Sequence, residues 1–353
     1  MTNTIDLRSD LMVPRSQQVL AAMSAAAFRP PAMAYGEDPD ERALTERLVA
    51  ELGVEAALLV PTCTMANQIA IRLHLPDGGR LAAGALSHVL TVEARATALT
   101  GVAGQVLPAE NGHPSPAAVA DFLAGRRAGE AALVWLENTH MLSAGTIMPP
   151  GWQTQIGESC RMAGCSVHLD GSRLWNAAVA QGVKMSALVA GCDTVAISLN
   201  KAIGAPLGSV LAGSRAAIDA ALRRRDALGG GWRPIGCIAA AALAALEDWR
   251  ERLETDAAMT RRLVAALAAR LGDQAMQPAP TNLVFLNRPG GDAQSFVDAL
   301  GRHAVRAMTL TPSLVRLAIH SGVRMAEIDI IAAAVVATDV ELRPPDGRRG
   351  ASS

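Results

Sequence analysis

The chain has 353 residues, half of them hydrophobic and 18% charged, which suits a large folded core in more than one lobe and excludes a disordered segment. A formal net charge of -1 leaves no basic surface for nucleic acid or an anionic membrane. Five cysteines without a CxxC pair exclude a zinc knuckle or a disulfide framework and read as a reducing, cytoplasmic setting, with no metal expected.

Residues 1–6 have neither a cationic start nor an apolar core, so they read as no signal peptide. The stretch to about residue 39 is rich in Pro and Met and lacks periodicity; residues 1–14 are expected to form an arm. Residues 40–52 predict an amphipathic helix, with Leu44, Leu48, Val49 and Leu52 at helical spacing. A short apolar run over 56–60 stops at Pro61, and 64–73 reads as a helix. Further apolar runs at 132–136, 166–169 and 194–199 alternate with helical patterns, the rhythm of a mostly parallel sheet with helices on both faces. Residues 208–213 follow too closely for a helical crossover and predict an antiparallel strand. Gly229-Gly230-Gly231 marks a hinge or a close approach of backbone. One long Ala- and Leu-rich helix is expected over 235–265; its apolar part, 235–246, is too short to span a bilayer. Strands at 282–286 and 314–319 flank a helix at 294–302 and make a smaller α/β lobe. The expected division is an arm at 1–14, a large domain at 15–245, a small domain at 246–342 and a disordered tail at 343–353.

Two strand ends carry reactive groups. Asp170 closes one apolar run and Lys201 the next, and in an α/β sheet reactive groups collect at the carboxyl ends of parallel strands. An acid and a lysine so placed are what pyridoxal phosphate needs. The lysine forms a Schiff base, and the acid keeps the pyridine nitrogen protonated so that the ring withdraws electrons. Lys184 and Lys201 are the chain's two lysines, which makes an incidental lysine at this position improbable.

Several short segments fall in one order along the chain: Asp6-Leu7-Arg8-Ser9-Asp10, Tyr35-Gly36-Glu37-Asp38-Pro39, Glu137-Asn138-Thr139-His140, Asp170-Gly171-Ser172-Arg173-Leu174, Gly229-Gly230-Gly231-Trp232-Arg233 and Val315-Arg316-Leu317. In this the chain resembles the threonine aldolase and β-eliminating lyase family, pyridoxal-phosphate enzymes of the aspartate-aminotransferase fold (fold type I). The resemblance implies a mostly parallel large domain, a smaller C-terminal α/β domain and a homo-oligomer, dimer or tetramer. It implies cleavage of a β-hydroxy-α-amino acid such as threonine, allo-threonine or phenylserine to glycine and an aldehyde. Another pyridoxal-phosphate lyase or racemase on the same scaffold, or a catalytically silent homologue, remain the alternatives.

Residue by residue, the resemblance makes Lys201 the Schiff-base lysine, Asp170 the partner of the pyridine nitrogen and His88 the ring that stacks on the cofactor. The start of the helix at Cys63 and Thr64 offers N–H groups and a helix dipole to the phosphate, with a hydroxyl from Ser198 and a cation from Arg233 of a neighbouring subunit. Arg173 and Arg316 match carboxylate-binding positions, where a planar guanidinium bonds a carboxylate through two N–H groups. Ser9 adds a hydroxyl, and Tyr35 lies in a segment near the subunit interface and the substrate. His140 is suited to take the β-hydroxyl proton, and Glu93 supports the network around the ring. The chain departs from the family pattern at Cys63 (usually Gly), Ser172 (usually Ala), Asn200 and Ala202 beside the lysine, Asp226, Pro234, and 141–144. The resemblance therefore implies an altered pocket for the β-substituent, with threonine itself not the best substrate.

Overall fold

The protein is described by a computed structural model that covers residues 4–127 and 129–342; the tail expected at 343–353 lies outside the described residues. The chain divides into two compact units, residues 15–249 and residues 4–14 together with 250–342.

The larger unit is built on seven strands: β1 (Ala56–Val60), β2 (Arg80–Gly84), β3 (Ala103–Leu107), β4 (Ala132–Glu137), β5 (Ser166–Gly171), β6 (Thr194–Ser198) and β7 (Ser209–Gly213). Their order across the sheet is β1-β7-β6-β5-β4-β2-β3. Only β7 runs antiparallel to its neighbours, as the short 199–208 connection requires. Strands β1, β4 and β6 are buried along their whole length, which is why they read as unbroken apolar runs. The parallel strands share one carboxyl edge, and the chemistry-bearing residues of the sequence lie along it.

Helix α1 (Pro39–Leu52) starts where Asp38 accepts hydrogen bonds from the N–H groups of Asp40 and Glu41, with Pro39 in the first turn. It buries Leu44, Leu48 and Leu52 and ends at Gly53, whose φ of 64° is left-handed. Helix α2 (Cys63–His74) begins at Thr62, whose hydroxyl accepts from Met65 N–H at 3.1 Å. The close approach expected at Gly229-Gly230-Gly231 is present: a Cβ on Gly230 would meet the Met65 side chain, and Arg225 Cγ at 2.9 Å.

The single helix expected over 235–265 is two, Gly236–Ala245 and Trp249–Leu271. The first closes at Leu246, whose N–H reaches back to Ala242 and Leu243. Trp249 then packs edge-on against Trp175, ring centroids 4.8 Å apart. The break falls just before the division of the chain at residues 249 and 250.

In the smaller unit, residues 4–14 are tied in by Ile5–Asp6, which pairs in parallel with Val305–Arg306, and by Leu7, which is fully buried with Leu263, Phe296 and Ile331. Strands β8 (Leu283–Asn287), β9 (Met308–Thr311) and β10 (Leu314–Ala318) form an antiparallel sheet with β10 in the middle. Among the described residues no helix is long and apolar enough to cross a membrane.

Candidate active site

The register of β4 on β5 sets Glu137 beside Asp170, and Asp170 in turn sits opposite Ala196 of β6. Two carboxylates thus stand side by side at the carboxyl edge, both buried. Asp170 Oδ2 accepts from Asn67 Nδ2 at 2.8 Å and its Oδ1 from the Ser172 N–H at 3.1 Å. Burial pushes its carboxyl up. The charges of His88 and Lys201 and the hydrogen bonds from Asn67 and Ser172 outweigh this and hold it below the ordinary carboxylate range. Glu137 goes the other way: burial, and then the Asp170 charge, raise it to about 7. Its oxygens accept from the His88 N–H at 2.7 Å and the Met141 N–H at 2.9 Å.

Three histidines approach these acids. His88 Nδ1 lies 3.2 Å from Glu93 Oε1, off the line a good hydrogen bond needs. Burial lowers its pKa, but Glu93, Asp170 and Glu137 together raise it above the ordinary histidine value. His140 is fully buried, with Nε2 3.8 Å from Glu137 Oε2 and neither ring nitrogen hydrogen-bonded. Burial lowers it to about 4, so its ring is neutral near pH 7. His113 meets it edge-on at 5.7 Å and is lowered to about 4 by burial and by His140. A Cβ at Gly112 would collide with the His140 ring, so only glycine leaves that ring its place.

Lys201 follows β6 and acts electrostatically on both Asp170 and Cys63. Among the described residues its amino group has no hydrogen bond or ion pair. Ser198 is buried and donates its hydroxyl to Asn200 Oδ1 at 2.9 Å. At the start of α2 the backbone N–H groups of Cys63 and Thr64 have no partner among the described residues. The Cys63 thiol is raised to about 12, by burial and then by Asp170, and accepts from Ser172 Oγ at 3.0 Å.

The other expected residues are spread more widely. Arg173 is buried at the N-cap position of the helix Leu174–Gln181, three residues past Asp170. Arg233 is exposed on a cleft of about 510 Å³ lined also by Tyr35, Glu41, Arg225 and Trp232. There the Arg225 guanidinium lies 4.6 Å from the centre of the Tyr35 ring. Ser9 and Arg316 belong to the smaller unit. Ser9 Oγ accepts from the Leu11 N–H, and Arg316 donates to the Arg8 carbonyl at 2.7 Å and lies 2.9 Å from Met308 Sδ. Reading of the sequence did not single out Asn67, Glu137 as a site acid, His113 or His168. The available signal was that Asn67 follows Cys63 by four residues, on the same face of α2.

The residues at the carboxyl edge fit pyridoxal phosphate on their own chemistry. They supply an uncommitted amine, a buried carboxylate held ionised, a helix start with free N–H groups and unpaired imidazole nitrogens. The chain superposes on the threonine aldolase of Leishmania major with a TM-score of 0.80 at 21% identity, covering 94% of this chain and 98% of that one. It superposes on a serine palmitoyltransferase solved with PLP with a TM-score of 0.75 at 18% identity, covering 96% and 88%. The fold is thus that of the fold-type-I PLP enzymes. Residues 6–288 match the beta-eliminating lyase family, and the chain belongs to it. The low-specificity L-threonine aldolase 1 of Arabidopsis thaliana is 31% identical over 336 residues, 92% of this chain and 93% of its own length.

Proposed function

We propose that this chain is a pyridoxal-phosphate-dependent aldolase that cleaves a β-hydroxy-α-amino acid to glycine and an aldehyde. The observation that carries the reading is Lys201, without a partner among the described residues, acting on the buried and ionised Asp170. The reaction class is supported by the threonine-aldolase relatives, which align over nearly the whole chain. Lys201 would hold the cofactor through its amino group, Asp170 its pyridine nitrogen and His88 one face of its ring. Cys63 and Thr64 N–H, Ser198 and Arg233 would hold its phosphate. When bound, the cofactor accepts the electron pair released at the α-carbon.

The chain's own residues do the rest. Arg173 orients the amino-acid carboxylate, which decides the bond that is broken. Arg316 is assigned to the same carboxylate, and Ser9 and Tyr35 to the substrate, on the resemblance of their segments. His140, neutral near pH 7, accepts the β-hydroxyl proton as that oxygen becomes the aldehyde carbonyl. The Cα–Cβ bond breaks, its electrons stay on the α-carbon, and a proton returned there yields glycine. Arg233 is exposed on its own protomer and is proposed to serve the site of a second copy, in a dimer or tetramer.

The test is a panel of threonine, allo-threonine and phenylserine, read for glycine and aldehyde against ammonia and keto acid. Glycine with equimolar aldehyde is expected, and the relative rates across the panel identify the preferred β-substituent. Ammonia and keto acid as the main products would reject the aldolase reading in favour of elimination.

A further inference from the structure

Asn67 donates one amide group to two carboxylates. Its Nδ2 lies 2.8 Å from Asp170 Oδ2 and 3.3 Å from both oxygens of Glu93. The Asp170 carboxylate, held below the ordinary range, cannot donate, so the amide nitrogen must face it and Oδ1 must face away. Oδ1 lies 3.3 Å from His168 Nε2. An amide oxygen only accepts, so His168 must carry its proton on Nε2. Its other nitrogen, Nδ1, is then bare and accepts from the Thr194 hydroxyl at 2.8 Å. With that hydroxyl proton committed, Thr194 Oγ1 has only lone pairs left for His74 Nε2, 2.9 Å away, which donates to it. Every donor in the line points the same way, from the half-buried His74 to the Asp170 carboxylate.

The line lies in the heart of the larger unit. Asn67, His168 and Thr194 are at most 1% exposed, and His168 packs against the Trp135 ring with centroids 4.4 Å apart. Burial lowers His168 to about 3, so it stays neutral and one tautomer is in question. The groups belong to three elements, α2, β5 and β6, so the relay also ties the helix start to the two strands whose ends bear Asp170 and Lys201.

We propose that His74, Thr194, His168 and Asn67 form a directed hydrogen-bond relay that orients the Asp170 carboxylate, with His168 fixed as its Nε2–H tautomer. These four are positioning residues: they act through Asp170, whose partnership with the pyridine nitrogen rests on the functional reading above. Aligned hydrogen bonds polarise one another in a low-dielectric interior, so loss of an outer member is felt at the carboxylate.

The test uses ¹⁵N-histidine-labelled full-length protein, before and after saturation with pyridoxal phosphate. The ring-nitrogen NMR signals of His168, assigned by its loss in His168→Gln, should show Nε2 protonated and Nδ1 bare in both samples. Thr194→Val keeps the side-chain shape and removes the hydroxyl. It should move the signal of the bare Nδ1, which loses its hydrogen bond, while Nε2 stays protonated against Asn67 Oδ1, and weaken cofactor retention by about 3–10-fold, the worth of one hydrogen bond. Thr194→Ser should restore both to within about twofold of the parent. His168 protonated on Nδ1, or Thr194→Val with unchanged ring signals, overturns the relay. A chain that binds no pyridoxal phosphate yet shows the Nε2–H tautomer supports the relay and rejects the functional reading instead.

Discussion

Ser172 Oγ donates to Cys63 Sγ across 3.0 Å, although 109 residues separate them in the chain. Both are positions where the chain departs from the pattern of the family it resembles, which has Ala and Gly there. The departures are therefore one feature. The same Ser172 gives its N–H to Asp170, so the pair links the start of the Cys63–His74 helix to the carboxylate. The raised thiol stays protonated at neutral pH and behaves as a small, soft acceptor, not as a nucleophile.

A double-mutant cycle tests that link. Cys63→Ala and Ser172→Ala should each destabilise the chain by about 0.5–1.5 kcal/mol, the range for one hydrogen bond. The double variant should cost less than the sum, with a coupling of at least about 0.5 kcal/mol by urea denaturation. Strictly additive effects would mean that the two side chains do not act as a pair.

Lys201→Ala should reduce glycine release to background and remove the visible absorbance of the bound cofactor. Lys184→Ala should do neither, because Lys184 sits at the N-cap of a short helix, Met185–Val189. Retained turnover in Lys201→Ala would move the covalent role away from this strand end.

Much of this was legible in the chain. Runs buried on both faces leave unbroken apolar segments, so β1, β4, β5 and β6 could be read directly, and with them the strand ends that carry Asp170 and Lys201. Asn67 could not be read this way. It reaches Asp170 across 103 residues, and a buried Asn in a helix carries no local mark of its partner. His168 was likewise hidden, inside a strand pattern that its neighbours make apolar. The helix break at 246–248 was illegible because Leu246, Glu247 and Asp248 include neither Gly nor Pro; the stop is visible only in the backbone, where the Leu246 N–H reaches back to Ala242 and Leu243.

Three buried neutral histidines predict acid sensitivity. Burial lowers His113 and His140 to about 4 and His168 to about 3, against 6.5 for an exposed histidine. The stability they confer is complete above pH 6.5 and is lost as pH falls toward those values. Glu137, raised to about 7 from 4.5, works in the opposite sense: its contribution is complete below 4.5 and lost as pH rises through 7. Asp256, which burial also raises to about 7, acts in the same sense as Glu137, so between pH 4.5 and 6.5 unfolding takes up about three protons on these histidines and releases about one from each acid, a net of about one. At about 1.4 kcal/mol per proton and pH unit, stability should fall by about 1–2 kcal/mol for each unit of acidification. Denaturation midpoints at pH 6.5, 5.5 and 4.5 check this, and a flat profile would contradict it. In His113→Gln the slope should drop by about one proton's share.

His140 and His88 should separate by what they disturb. His140 has a neutral ring with both nitrogens unpaired, as an acceptor for the β-hydroxyl proton requires. His140→Asn should therefore lower kcat for phenylserine by about 10²–10⁴-fold, the usual share of a general base, with cofactor retention nearly intact. His88 is part-exposed and tied to Glu93, and through its backbone to Glu137. His88→Ala should instead weaken cofactor retention together with rate, because a group against the ring contributes at every step. The two variants are compared by cofactor content after gel filtration and by glycine release at saturating substrate. If His140→Asn stays within a few-fold of the parent while His88→Ala is the more damaging, the proton goes to water or to another group. His140 would then be a packed structural histidine, held by His113 on one side and Gly112 on the other.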